Sequence, residues 1–207
     1  MNVSAEFAFR AGQYLEVELG DDDRIPLSIA SSPHRLPQLH LHYRSTPGLT
    51  EAHRFDELLA EGGTLAIHGP FGTACLPEPL RAPLLIIAGG TGGGQALGLL
   101  DDLLAEPPSH PVSLLWCADR SEDLYRRGWL ESLDHDWLTS ECIADARRDA
   151  ANRGLVWLRD RAPTLANHRI ILSGSPGFVY SAVDVLLPAG VLLEQMASDV
   201  FAYAPRA

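Results

Sequence analysis

The chain has 207 residues, 46% of them apolar, and a formal net charge of −11. That length suits one large domain or two small ones, the charge disfavours nucleic acid as a partner, and no apolar run approaches the roughly 18–20 residues that span a bilayer. All 16 basic residues are arginine, which excludes lysine Schiff-base chemistry and leaves the guanidinium as the always-charged group for phosphates.

The first third reads as β. Tyr14 to Leu19 alternates as a half-buried strand does, and Gly20-Asp21-Asp22-Asp23 is a turn. Ile25 to Ala30 is a second strand, and Gln38 to Arg44 a third with Leu39, Leu41 and Tyr43 on one face. Thr50 is placed to cap a helix over Glu51 to Ala60 that ends at Gly62-Gly63, and Thr64 to His68 is a fourth strand. Short strands separated by turns predict a small antiparallel barrel or sandwich. Pro70, Pro77, Pro79 and Pro83 then suit a stiff connection.

After it the chain alternates β and α. Leu84 to Ala88 is a short apolar run that ends in Gly89-Gly90-Thr91-Gly92-Gly93-Gly94, before a helix from Gln95 to Ala105. Pro111 to Ala118 is a strand, Ser121 a helix cap, Trp137 to Ala144 a strand and Gly154 to Leu165 an ambiguous, helix-compatible stretch. His168 to Ser173 is a strand, Pro176 to Leu187 a helix, and Val200 to Tyr203 a last short strand. This order predicts a doubly wound parallel sheet.

The glycine turn is a candidate phosphate cradle. Glycine tolerates positive φ and lets backbone approach a ligand, and a helix N-terminus favours anions. It is neither of two familiar fingerprints. Gln95 stands where the dinucleotide G-x-G-x-x-G needs its last glycine, and Gln95-Ala96 replaces the Lys-Ser/Thr of a P-loop. A turn that binds nothing is the alternative on this pattern alone.

Cys75, Cys117 and Cys142 lie far apart with no C-x-x-C, so zinc ribbons and all-cysteine iron–sulfur clusters lack ligands. Met1 to Glu6 shows no signal-peptide pattern, and a cytoplasmic protein is the expectation. His40, His42 and His68 read as a solvated face rather than metal ligands. Trp116, Trp129, Trp137 and Trp157 read as packing groups.

Six motifs now stand in order: Phe9-Arg10-Ala11-Gly12-Gln13-Tyr14, Pro26 to Pro33, Gly69-Pro70-Phe71-Gly72, Gly89-Gly90-Thr91-Gly92, Ser173 to Gly177, and Asp199 to Tyr203. Together they resemble the ferredoxin–NADP⁺ reductase superfamily, and within it the small bacterial NAD(P)H:flavin reductases. The resemblance implies a flavin-binding β-barrel over residues 1–78, followed by an NAD(P)-binding α/β domain over 79–207. It implies that Pro26, Leu27 and Ser28 pass beside the flavin ring (FAD or FMN), with Ser28 assisting hydride acceptance at N5, and that Ile29, Ala30 and Ser31 line the ring. Gly89, Gly90, Thr91 and Gly92 would hold NADH or NADPH, and Gly174, Ser175 and Pro176 would lie at the nicotinamide. Arg120 would reach the adenosine ribose or its 2′-phosphate. Phe201 and Tyr203 would approach the flavin from the chain end.

The sequence departs from the family pattern in three places. Ile25 stands where the family carries an arginine three residues before the serine, with Arg24 one place earlier, and a one-residue offset turns a strand side chain to the other face. Arg44, and Thr50 after Pro47-Gly48, are the candidate substitutes for phosphate. Ser173 stands where many relatives have cysteine. About one strand fewer precedes Phe9, which leaves a barrel edge open. The activity expected from the resemblance is hydride transfer from NAD(P)H to a flavin. The alternatives are a flavoprotein subunit that passes electrons to an oxygenase or iron–sulfur partner, and a non-catalytic nucleotide-binding module.

Overall fold

The computed structural model describes residues 1–3, 6–46, 48–145 and 149–206. Strands β1 (Tyr14–Gly20), β2 (Asp23–Ser28) and β3 (Ile67–Phe71) form an antiparallel sheet in the order β2-β1-β3. The alternation in β1 does what the sequence predicts. Leu15, Val17 and Leu19 are buried, while Glu18 and Gly20 face out. Helix α1 (Thr50–Glu61) closes the apolar side with Ala52 and Phe55.

The third predicted strand is corrected. Residues 38–44 form no ladder; their strand-like pairings are isolated bridges at Asn2–Gln38 and Ile29–Leu41. Their backbone groups are met piecemeal: the Ala30 N–H donates to the His40 carbonyl, and the His40 N–H donates to Ser31 Oγ. The predicted inward face survives, because Leu39, Leu41 and Tyr43 all join the barrel core. Thr50 is the first helical residue rather than the cap, and Leu49 before it offers no side-chain cap.

The second sheet is parallel, in the order β6-β5-β4-β7-β8. Its strands are β4 (Leu84–Gly89), β5 (Val112–Ala118), β6 (Leu138–Ala144), β7 (Arg169–Ser173) and β8 (Met196–Ala197). Strand β4 is central and buried on both faces, as a continuous apolar run in a parallel sheet must be. Leu84, Ile86 and Ala88 face the layer that holds α2 (Gly93–Ala105) and the short α3 (Arg127–Glu131). Leu85 and Ile87 face α4 (Ala150–Arg161) and α5 (Pro176–Leu186). Each buried Leu and Ile of β4 contributes about 1.5–3 kcal/mol by leaving water.

Val200–Tyr203 is a short helix, α6, not a strand. Four residues are too few for periodicity to separate the two. The edge strand lies just before it, where Met196 and Ala197 pair with Ile170 and Ile171. Ser121–Asp123 is one 3₁₀ turn, and the helix that follows begins only at Arg127. No helix among the described residues is long and apolar enough to cross a membrane.

Helix α2 ties the sheets together. Gly98 sits against the Ile29 carbonyl, so closely that a Cβ there would overlap it. Arg35 grips Asp101 through Nε at 2.5 Å and Nη2 at 2.6 Å, and the Ser32 N–H donates to the same carboxylate at 2.8 Å. Burial pushes the Asp101 pKa up, but Arg35 and the Ser32 N–H together outweigh it and hold the carboxyl below its usual range.

Candidate active site

Strand order reverses about β4, with β5 and β6 on one side and β7 and β8 on the other. Ligands of open α/β sheets bind at such a reversal, beyond the carboxyl ends of the strands. Here that place is the Gly89–Gly94 loop, and the antiparallel sheet faces it. Several clefts meet there, and three of them span the junction of the two sheets. One of about 520 Å³ runs along β2 and includes Arg24, Pro26, Ser28, Arg44 and the start of α1. One of about 410 Å³ lies between the sheets and includes Tyr14, Ser28, Gln95, Gly174, Asp199 and Tyr203. One of about 270 Å³ lies over the strand ends and includes Arg44, Gly90, Asp119 and Ser175. Thr91 lines all three, and Ser28 lines the first two. The Ser28 side chain makes no hydrogen bond among the described residues.

The glycines divide by role. A Cβ at Gly92 would come within 2.6–2.7 Å of the Ser173 and Gly174 backbone, and one at Gly89 would meet the Phe178 ring. A Cβ at Gly93 would overlap Trp116. These three are packing glycines. Within this turn Gly90 alone combines positive φ (+55°) with open space around a Cβ, and its carbonyl accepts the Trp116 indole N–H at 3.0 Å. The loop is pinned again where Ser173 Oγ donates to the Gly92 carbonyl at 2.9 Å.

Arg24 lies on the cleft side of β2. Regular pairing of β2 with β1 puts Arg24, Pro26 and Ser28 on one face, with Leu27 buried on the other. The expectation that the offset turns this arginine away is therefore corrected. Arg24 lies 3.4 Å from Glu16 across the strands. Arg44 stands between clefts, 3.1 Å from Asp123. Thr50 opens α1 beside the first cleft, which Leu49, Glu51 and Ala52 line; Pro47 lies outside the described residues.

Other expected residues fall elsewhere. Ile29, Ala30 and Ser31 are buried in the seam under α2, because the bare Gly98 lets the helix settle on that backbone. Phe201 packs beside Tyr180, with ring centroids 5.9 Å apart, in the layer behind the parallel sheet. Tyr203 does line the central cleft, together with Val200. Arg120 is exposed and 3.5 Å from both Glu122 and Asp123, outside the lining of the cleft over the strand ends. Ser175 caps α5, accepting from the Phe178 N–H, with Pro176 at the first helical position.

The structure also joins groups that the sequence leaves unlinked. His42 and Tyr125, 83 residues apart, share a 2.8 Å hydrogen bond, and Tyr125 stands edge-on to both His42 and Trp116. Burial holds the His42 pKa below the imidazole norm, helped by the charges of Arg126 and His40, and pushes Tyr125 up to about 12. Asp199 Oδ1 accepts the Thr73 and Ala74 N–H groups at 2.8 and 3.2 Å, tying the last helix to the barrel. His68 meets Glu18 rather than the other two histidines.

No protein-family model matches the chain. The reductase component 2 of terephthalate 1,2-dioxygenase from Comamonas is 33% identical over 95% of the chain, and the chain spans 60% of that protein's length. An NAD(P)H-flavin reductase from Vibrio harveyi is 37% identical over 58% of the chain and 52% of its own length. Among solved structures, the Amycolatopsis cytochrome P450 reductase GcoB superposes with a TM-score of 0.80 at 25% identity, over 95% of this chain and 62% of that one. In sequence and in fold the chain is similar to reductases of the ferredoxin–NADP⁺ reductase superfamily. A ferredoxin NADP⁺ reductase from Neisseria gonorrhoeae, solved with bound FAD and NADP, shares the superfamily fold, with a TM-score of 0.74 at 15% identity.

The residues present fit such a pair of ligands. Within this superfamily fold, Gly90 leaves free space at the turn, Ser28 offers an unengaged hydroxyl, and arginines line the outer clefts. A central cleft with Ser28, Gln95 and Tyr203 in its wall lies between them.

Proposed function

We propose that the chain is an NAD(P)H-dependent flavin reductase, with flavin along β2 and the dinucleotide over the parallel sheet. The observation that carries this reading is the junction at Thr91 and Ser28, where the two outer clefts meet the central one. When bound, the dinucleotide supplies a hydride and the flavin accepts it. The protein's part is to hold two rings in contact, because transfer needs reacting atoms about 3–3.5 Å apart. Ser28 Oγ, with no hydrogen-bond partner among the described residues, is placed to hold a proton toward the ring that gains charge. Gly90 and Thr91 present backbone to the dinucleotide, and Gly174 flanks the central cleft from the other side. Arg24 and Arg44, with the uncapped start of α1, suit a flavin phosphate. We place the division between the two halves at residues 78/79 and the protein in the cytoplasm, where reduced nicotinamide is available.

Relatives named as reductase components of dioxygenase systems support a second reading. In it the flavin stays bound and electrons pass on to a partner protein. Mixing the chain with NADH or NADPH and FMN, FAD or riboflavin, and following the nicotinamide absorbance, tests both readings. No oxidation above a blank with folded protein refutes the first. Flavin retained through dialysis favours the second, and colourless protein counts against it.

A further inference from the structure

Gln95 sits at the third position of α2, 5% exposed, on the wall of the central cleft. Its Nε2 donates to the Gly12 carbonyl at 2.6 Å and to the Ala74 carbonyl at 3.3 Å. Both partners are acceptors only, so the amide has one admissible orientation, with nitrogen toward the barrel loops and oxygen away from them. The loops hold it there. Gly12 has φ +101°, and a Cβ on it would overlap the Ala74 carbonyl.

The carbonyl oxygen of Gln95 makes no hydrogen bond among the described residues. Nor is it among their buried unpaired side-chain atoms, which are Trp157 Nε1, His168 Nδ1 and Arg169 Nε. Among the described residues, the space that Gln95 lines is the central cleft, and the oxygen is open toward it. The result is a fixed acceptor in a mostly desolvated wall, with both of its hydrogens already committed. Glu16 and Asp199 line the same cleft and disfavour an anionic ring edge there.

We infer that Gln95 Oε1 is a recognition group for a neutral N–H donor on the ring that enters the central cleft. This rests on the flavin-reductase reading. Two ring systems carry such a donor: the imide N3–H of an isoalloxazine and the carboxamide of a nicotinamide. A ring that displaces water from this oxygen without offering an N–H leaves it unpaired, which weakens binding about tenfold.

The test compares dissociation constants by calorimetric titration of the intact protein. Riboflavin is set against N3-methylriboflavin, and NADH against its reduced 3-acetylpyridine analogue, in which a methyl ketone replaces the carboxamide. A roughly tenfold loss with the methylated flavin assigns the imide, and the same loss with the ketone assigns the carboxamide. In Gln95→Met that loss disappears, which separates a lost hydrogen bond from a bulky methyl group. If Gln95→Met does not fold, Gln95→Asn serves, since its shorter amide cannot reach both the barrel carbonyls and the cleft. Equal affinities of analogue and parent in the wild-type protein overturn the inference, as does discrimination that persists in the variant. If neither riboflavin nor NADH binds, the reductase reading falls with it; if both bind and the analogues match them, only this inference falls.

Discussion

Substituting alanine at two glycines of one turn separates packing from ligand space. Gly92 has φ −57°, so alanine is conformationally unstrained there, yet its Cβ would stand 2.6 Å from Ser173 C and 2.7 Å from both Ser173 O and Gly174 N. Those are backbone atoms at the end of β7, and no side-chain rotation relieves the overlap. Either β7 or α2 must shift, and overpacking of this kind costs about 1–3 kcal/mol. With backbone on the receiving side, we expect the upper end, about 3 kcal/mol. Gly90 is the reverse case. Its φ of +55° charges an alanine about 1 kcal/mol for the left-handed conformation, but its Cβ meets nothing within 4 Å. Urea unfolding should therefore place Gly92→Ala about 2 kcal/mol below Gly90→Ala. Titration with NADH should show weakened binding in Gly90→Ala, whose methyl enters the cleft. If Gly90→Ala is the less stable of the two, or Gly92→Ala unfolds like wild type, the division of the turn into packing and ligand glycines is wrong.

Four further outcomes follow from the same geometry. Ser28→Ala should leave stability within about 0.5 kcal/mol, since the hydroxyl makes no hydrogen bond among the described residues, while flavin reduction slows about tenfold; an unchanged rate removes Ser28 from the chemistry. Arg44→Ala should raise KM for FMN several-fold and leave that for riboflavin unchanged, and a parallel change in both would mean that Arg44 does not read the phosphate. Asp119 follows β5 directly and lines the dinucleotide-side cleft beside Asp123, so NADH should be oxidised in preference to NADPH, and Asp119→Ser should narrow the gap. Burial lowers the pKa values of His42 and His168, so the unfolded chain takes up their protons first. Stability is then held above the ordinary imidazole value of 6.5 and lost as pH falls through it. His42→Gln should lose less than wild type between about pH 7.5 and 5.5, and equal losses would show that His42 plays no part.

What the sequence made legible was local. The unbroken apolar run of β4, the glycines after it and the β–α alternation fix a doubly wound sheet, because each signal lies within one element. The alternation of residues 38–44 identified the inward residues but not the lack of a ladder, since pairing depends on what lies alongside. The glycine turn looked like a ligand cradle throughout, and only the positions of Ser173, Phe178 and Trp116 show that three of its glycines serve packing. Ile29 to Ser31 were expected at the cleft because their motif is continuous with Ser28. The structure buries them because α2 arrives from 70 residues further along to cover them. His42 with Tyr125, and Asp199 with Thr73, join positions 83 and 126 residues apart. Gln95 was conspicuous as a departure from two fingerprints, but nothing in the sequence links it to its partners, Gly12 and Ala74, 83 and 21 residues away.

The lack of a side chain at Gly98 also bears on how such a protein can be recombined. A crossover at residues 78/79 looks natural, since it falls between the two sheets. Yet it would hand α2 to one parent and the Ile29 carbonyl, Ser32 and Arg35 to the other. Any parent with a larger residue at the Gly98 position would be held off the barrel. Any barrel lacking an arginine at the Arg35 position would leave Asp101 half-buried without its counter-charge. An interchangeable cassette would have to run through Ala105, so that helix and barrel travel as a matched pair.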